Sequence, residues 1–232
     1  TTINFKYIYC TLFLVNNTIT QTSQGIVIVH SSENIISGNV IFFIGAQGIF
    51  LLEAYNNSIT DNYIEAQDYT SSSSSTDNGV SLTTSGNNEF KFNTITGFRL
   101  YGIVISSDSA KNAIIFNNFI DNNENLLNQA SDGGVSNNFT RNFWDNWITP
   151  DADENGIIDS PYLITGNTEG DDLFPLSNFI KHTLSEPQIY SPNSAEIFSG
   201  LVQISWIPSE DSHNFSLFSL FFSSHSISGF NS

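Results

Sequence analysis

Residues 79–101 read GVSLTTSGNNEFKFNTITGFRLY, and the fold turns on how this stretch is understood. Val80 and Leu82 are apolar and alternate with Ser81 and Thr83; a polar turn follows (Thr84-Ser85-Gly86-Asn87-Asn88), and a second run sets Phe90, Phe92 and Ile95 around Asn93. Alternation with a period of two marks half-buried strands rather than helix. One such unit leaves an apolar face open and needs copies above and below it. Gly25-Ile26, Gly48-Ile49, Gly79-Val80 and Gly102-Ile103 open successive units and Asn125-Leu126 marks a fifth, at separations of 23, 31, 23 and 23 residues. Asn39, Asn62, Asn93, Asn117 and Asn142 keep the same step. A fixed period of roughly 20–50 residues is the mark of a solenoid. A leucine framework and helical periodicity are both missing. The pattern therefore predicts an all-β chain, a right-handed single-stranded parallel β-helix with about 23 residues per coil.

Working outward, Ile26, Ile28, Ile49, Leu51, Val80, Leu82, Ile103 and Ile105 are the expected inward columns, and Ile36, Ile59, Phe90 and Ile114 add a second set. Burying each such side chain stabilises the fold by roughly 1.5–3 kcal/mol. The recurring asparagines are expected to hydrogen-bond coil to coil as a ladder that fixes register. The 31-residue interval holds a serine-rich insertion near residues 68–78, which reads as a surface loop. The run Asn142-Phe143-Trp144-Asp145-Asn146-Trp147 closes the repeats, so residues 1–147 are assigned to the β-helix and residues 148–184 to a C-terminal cap. Beyond Ser185-Glu186-Pro187, residues 185–232 read as a linker and an incomplete immunoglobulin- or fibronectin-like β segment. The 46 residues from Pro187 fall short of the roughly 100 such a sandwich needs.

Composition narrows the partners. With 23 acidic and 6 basic residues the net charge is −17, which argues against nucleic acid, whose phosphates need clustered Lys and Arg. Cys10 is the only cysteine, so no intrachain disulfide and no thiolate metal cluster can form. No apolar run is long enough to span a membrane. A start at Thr1, without Met or signal peptide, predicts a fragment or processed form.

The sharpest chemical signal follows the repeats. Asp151, Asp153, Asn155 and Asp159 stand at positions one, three, five and nine of a loop, with Gly156 at six and the Ile157 carbonyl at seven. Hard oxygen ligands at this spacing predict a Ca²⁺ site made by Asp151, Asp153, Asn155, Ile157 and Asp159. Position twelve departs from the pattern, with Tyr162 where a bidentate glutamate would sit; Asp171, Asp172 or water are expected to complete the shell. Catalytic signals are weaker. Asp108, Asp121 and Asp132 lie in turns and could pair as acid and base, whereas Arg99, Arg141, Lys91 and Lys111 stand singly in sequence. Four sequons, at Asn16, Asn56, Asn138 and Asn214, point weakly to a secreted or surface setting.

The coils with Asn-x-Ile turns, then NFWDNW, then DADENGIIDSPYLI and Asp172-Leu173-Phe174-Pro175-Leu176, resemble the NosD-type parallel β-helix repeat proteins over roughly residues 1–176. The resemblance implies the β-helix fold and a periplasmic or extracellular, cell-surface location. It also implies copper-site maturation, for which this sequence carries no Met, His and Cys set. The expected role is therefore structural or carbohydrate-binding, with no catalytic residue assigned. A carbohydrate-active enzyme and a copper accessory protein are the two rival expectations.

Overall fold

The computed structural model describes residues 3–6, 12–66, 77–123, 128–166 and 170–181. They belong to one compact unit, Thr1–Glu186; the other, Pro187–Ser232, and with it the expected sandwich segment, lies outside the described residues. The described chain is all-β, a parallel β-solenoid of about five turns with about 24 residues per turn. No helix is present among the described residues, so none is long and apolar enough to cross a membrane.

Three walls enclose the core. One consists of Phe13–Val15, Ile35–Ser37, Ser58–Thr60, Glu89–Lys91, Ala113–Ile115 and Asn138–Thr140, a six-stranded parallel sheet. The other two share an eleven-stranded sheet, because the long strands Thr18–Val29 and Val40–Leu52 run through the corner between them. Asn78–Thr83, Ile103–Ile105 and Ala130–Asp132 continue one of these walls. Tyr63–Ala66, Thr94–Thr96, Asn118–Ile120 and Phe143–Trp144 continue the other. Each turn of chain thus adds one strand to each wall, and the period-two alternation turns every second side chain inward, two from Ile103–Ile105 and one from Ala113–Ile115.

The inward columns are those the spacing predicts. Ile26, Ile49, Val80 and Ile103 stack in one file, Ile28, Leu51, Leu82 and Ile105 in a second, and Ile36, Ile59, Phe90 and Ile114 in a third, all at most 2% exposed. Ile19, Ile41, Ile64, Ile95, Phe119 and Trp144 form the file on the last wall. The glycines that open each unit are there for close approach. A Cβ on Gly48 would lie 2.6 Å from the Gly79 carbonyl oxygen, and one on Gly79 would lie 2.5 Å from that of Gly102.

One expectation is corrected. Ile103 pairs with Ala130, not with Leu126, so the fifth unit opens 27 residues on. The cause is polar: the Gln129 carboxamide accepts the Asn122 backbone N–H (3.1 Å) and its Nδ2 (2.9 Å), which makes Ala130 the next inward residue. Phe92, grouped in sequence with Phe90 and Ile95, is not in the core. It sits at a corner with φ +58° and is partly exposed.

Asparagine rows run along the corners beside the six-stranded sheet. In the first, Asn39, Asn62, Asn93, Asn117 and Asn142 each give both the backbone N–H and Nδ2 to a side-chain oxygen one coil on, at 2.9–3.1 Å. The remaining Nδ2 hydrogen reaches a backbone carbonyl, that of Ile36 from Asn62 and that of Ile59 from Asn93. Both donors and both lone pairs of each inner amide are used, as a buried carboxamide requires. A second row, Asn34, Asn57, Asn88, Asn112 and Asn137, has the same arrangement. Its spacing, like that of the first row, is visible in the sequence.

Candidate functional site

Each amide row points one way, so its last member needs an acceptor that gives nothing back. A carboxylate meets that need, and an aspartate ends each row. Asp172 Oδ2 accepts from Asn142 N (2.9 Å), Asn142 Nδ2 (3.1 Å) and Trp144 Nε1 (3.2 Å), while Oδ1 accepts from Arg141 N and Phe174 N. Asp132 Oδ1 ends the second row at Asn137 Nδ2 (2.9 Å) and also takes Gly134 N. Asp145 ends a shorter row, from Asn122 through Gln129, whose Nε2 lies 2.6 Å from Asp145 Oδ1. Burial pushes the carboxyls of Asp172 and Asp145 above the ordinary value, against the donors that hold the ionised form.

This assigns several aspartates singled out in the sequence. Asp172 is fully buried at the end of a row, with both oxygens taken by the donors named above. Asp171 Oδ1 accepts from Ile164 N at 2.8 Å. Tyr162 departs from a bidentate glutamate for a core reason: its ring stacks on Trp144 at 4.1 Å, Trp144 stacks on Phe119 at 4.3 Å, and Tyr162 Oη accepts from Gln129 N at 2.6 Å. That stack continues the inward file beyond the last strand. Burial pushes the Tyr162 hydroxyl up to about 12.

The acidic loop holds its carboxylates around its own backbone. Asp151 accepts from Asn155 N (3.1 Å) and Gly156 N (3.1 Å), Asn155 Oδ1 from Ile157 N (2.8 Å), and Asp159 Oδ2 from Ala152 N (2.9 Å), which ties the two ends together. Asp153 Oδ2 takes Asn155 Nδ2 at 2.8 Å. Gly156 stands at φ +86°, the backbone that the sequence reserved for it. The loop is pinned to the coils by Ile158 N to the Pro175 carbonyl (2.8 Å) and by the bridge from Ile157 to Leu176. Among the described residues, no three His, Cys, Asp or Glu side chains converge as they stand to hold a metal ion.

The turn carboxylates Asp108, Asp121 and Asp132 have three different settings. Asp132 is a buried row end. Asp108 is held by Ser106 Oγ and by Thr84 Oγ1 (2.6 Å) and N (3.1 Å), which lower its carboxyl to about 2. Asp121 is joined to Asp145, whose Oδ2 accepts the Asp121 backbone N–H at 3.0 Å. Sequence reasoning passed over Asp145, since only the coil register reveals that it and Asp121 are neighbours. His30 Nδ1 pairs with Glu53 at 2.7 Å across one coil step; Cys10, His182, His213 and His225 lie outside the described residues.

Residues 4–168 match the family model described as periplasmic copper-binding protein (NosD). The chain belongs to the NosD family. No curated protein and no solved structure matches it. The family's printed description raises copper directly, and the donors of this NosD-family chain can be tested against it. Copper centres draw on imidazole, thiolate and thioether, and the whole sequence offers four His, one Cys and no Met. The one described histidine, His30, is engaged by Glu53. These residues do not fit a copper centre, and no step of its chemistry is derived through copper.

Proposed function

We propose that this NosD-family chain is a structural, carbohydrate-binding β-helix of the periplasm or cell surface, and that its 151–159 loop takes up Ca²⁺. The coil sense we assign is right-handed, the hand parallel crossover connections nearly always take. The observation carrying the proposal is the stacking of outward polar groups in register. Gln24 Nε2 reaches Gln47 Oε1 (2.7 Å), and Thr60 Oγ1 bonds Ser37 Oγ (3.0 Å). Hydroxyls and carboxamides fixed at the spacing of adjacent strands suit a repeating polyhydroxyl ligand. A glycan array probed with the full chain tests this, and retention of no glycan at all overturns it.

Calcium is supported by the oxygen spacing of Asp151, Asp153, Asn155, the Ile157 carbonyl and Asp159, and by the closed loop that Asp159 makes with Ala152 N. Bound cation would replace the backbone N–H groups now facing these carboxylates. Calorimetric titration with Ca²⁺ should give saturable heat that D151A removes, and heat equal in both proteins rejects the site. A second reading, a carbohydrate-active enzyme, draws on the Asp121–Asp145 pair: burial raises the Asp145 carboxyl and the neighbouring Asp121 charge raises it further. Release of reducing ends or unsaturated products from a polysaccharide, lost in D121N, would favour that reading over simple binding.

A further inference from the structure

We propose that this chain is N-glycosylated at Asn16, Asn56 and Asn138. The proposal rests on the periplasmic or cell-surface location given above and adds a covalent modification with three acceptor sites. The starting observation is how the fold divides its asparagines. In the two corner rows the inner carboxamides are buried and spend their Nδ2 hydrogens on the next coil and on backbone carbonyls. Such a nitrogen has no room for a sugar. The three sequons among the described residues avoid the rows, although a row member, Asn17 or Asn57, follows directly in two of them. Asn16, Asn56 and Asn138 are all exposed, and none makes a side-chain hydrogen bond among the described residues. The fourth sequon, at Asn214, lies outside the described residues.

The coil register turns these three side chains outward. Asn16 and Asn56 stand at corners with φ +55° and +56°, each just before a row asparagine that faces between coils. Asparagine adopts that left-handed backbone readily. Asn138 opens the last strand of the six-stranded sheet, where Phe139 fills the core at 2% exposure and alternation leaves Asn138 and Thr140 on the outer face. All three sites therefore lie on this sheet or at the corners that border it.

Corner backbone explains an asparagine at 16 and 56 but does not call for a hydroxyl two residues on. Other coils carry Ile35, Val40, Tyr63 or Glu89 at that place. The hydroxyls of Thr18, Ser58 and Thr140 make no hydrogen bond among the described residues, so no bond within the fold requires them. Together the exposed amide and the free hydroxyl form the acceptor pattern. Asn87 supplies an internal contrast: it is an exposed corner residue with φ +54°, yet Glu89 stands where the hydroxyl would be.

The sugar donor is an oligosaccharide carried on a lipid phosphate. Asn Nδ2 attacks the anomeric carbon; the N–C bond forms as the C–O bond to phosphate breaks. The amide gives up one proton and the lipid phosphate leaves with the electron pair. No oxidant or reductant enters.

The full chain, isolated and fractionated from the cells that make it, tests the proposal by mass spectrometry of its peptides. Peptides holding Asn16, Asn56 and Asn138 should carry hexose-based mass additions, and those holding Asn87 or Asn117 should carry none. T18V, S58A and T140V keep each asparagine and remove only the hydroxyl. Each should delete the addition at its own site, leave the other two, and hold the melting temperature within a few degrees. Exported protein bare at all three positions overturns the modification and leaves the location standing. Protein confined to the cytoplasm overturns both. Additions that persist in the hydroxyl variants, or that occur as often at Asn87, overturn the assignment of these sites.

Discussion

Asp172 accepts five hydrogen bonds, and D172N tests what its second oxygen contributes. An amide can face Asn142 and Trp144 with its oxygen, but its NH₂ then meets the N–H groups of Arg141 and Phe174. Each stranded buried donor costs roughly 1–3 kcal/mol, so D172N should lower the melting temperature by several degrees in calorimetry. Gly79 gives a steric counterpart. G79A places a methyl 2.5 Å from the Gly102 carbonyl oxygen and 2.3 Å from Ile95 Cγ2, where overpacking should cost about 1–3 kcal/mol by chemical denaturation. The glycine was legible as a repeat marker because the carbonyl contact it allows recurs at Gly25, Gly48 and Gly79. Asp172 was not, since nothing in a run of loop aspartates tells an acceptor that ends a buried row from one that faces solvent.

At the scale of the strand and corner, the strongest claim concerns the amide rows. Removing an inner amide breaks bonds on both sides. N117A leaves Asn93 N and Nδ2 without their acceptor and removes the donor to the Phe90 carbonyl and to Asn142 Oδ1. The expected cost is about 2–4 kcal/mol. N138A, at an exposed strand position in the next coil, should cost under about 1 kcal/mol. Equal losses in the two variants would mean that the rows do not hold the register. Strands and inward columns were readable from Ile26 to Ile114 because period-two alternation reports directly on which side faces the core. Register after Ile103 was not readable, because a carboxamide at Gln129, rather than an apolar repeat, decides where the next strand begins.

Over the whole molecule, acidity and burial combine in one pH profile. Burial raises the carboxyls of Asp77, Asp145 and Asp172 above the ordinary value, so between that value and their folded values the native chain holds more protons than the unfolded one. Stability therefore rises as pH falls through that window. Lowering the pH also relieves the self-repulsion of a net charge of −17. Asp108 opposes this trend: with its carboxyl lowered to about 2 by Ser106 and Thr84, its contribution is complete above its ordinary value and lost below it. The melting temperature should climb from pH 7 to a maximum near pH 4, by scanning calorimetry in about 0.1 M salt, and then fall. D172N should show a shallower climb, because the amide carries no proton to take up. A melting temperature that drops steadily from pH 7 downward would mean that the donors around Asp145 and Asp172 outweigh their burial, and that the row ends are ionised strongholds of the fold. The two outcomes assign opposite signs to the same three aspartates, so a single set of scans on wild type and D172N decides between them.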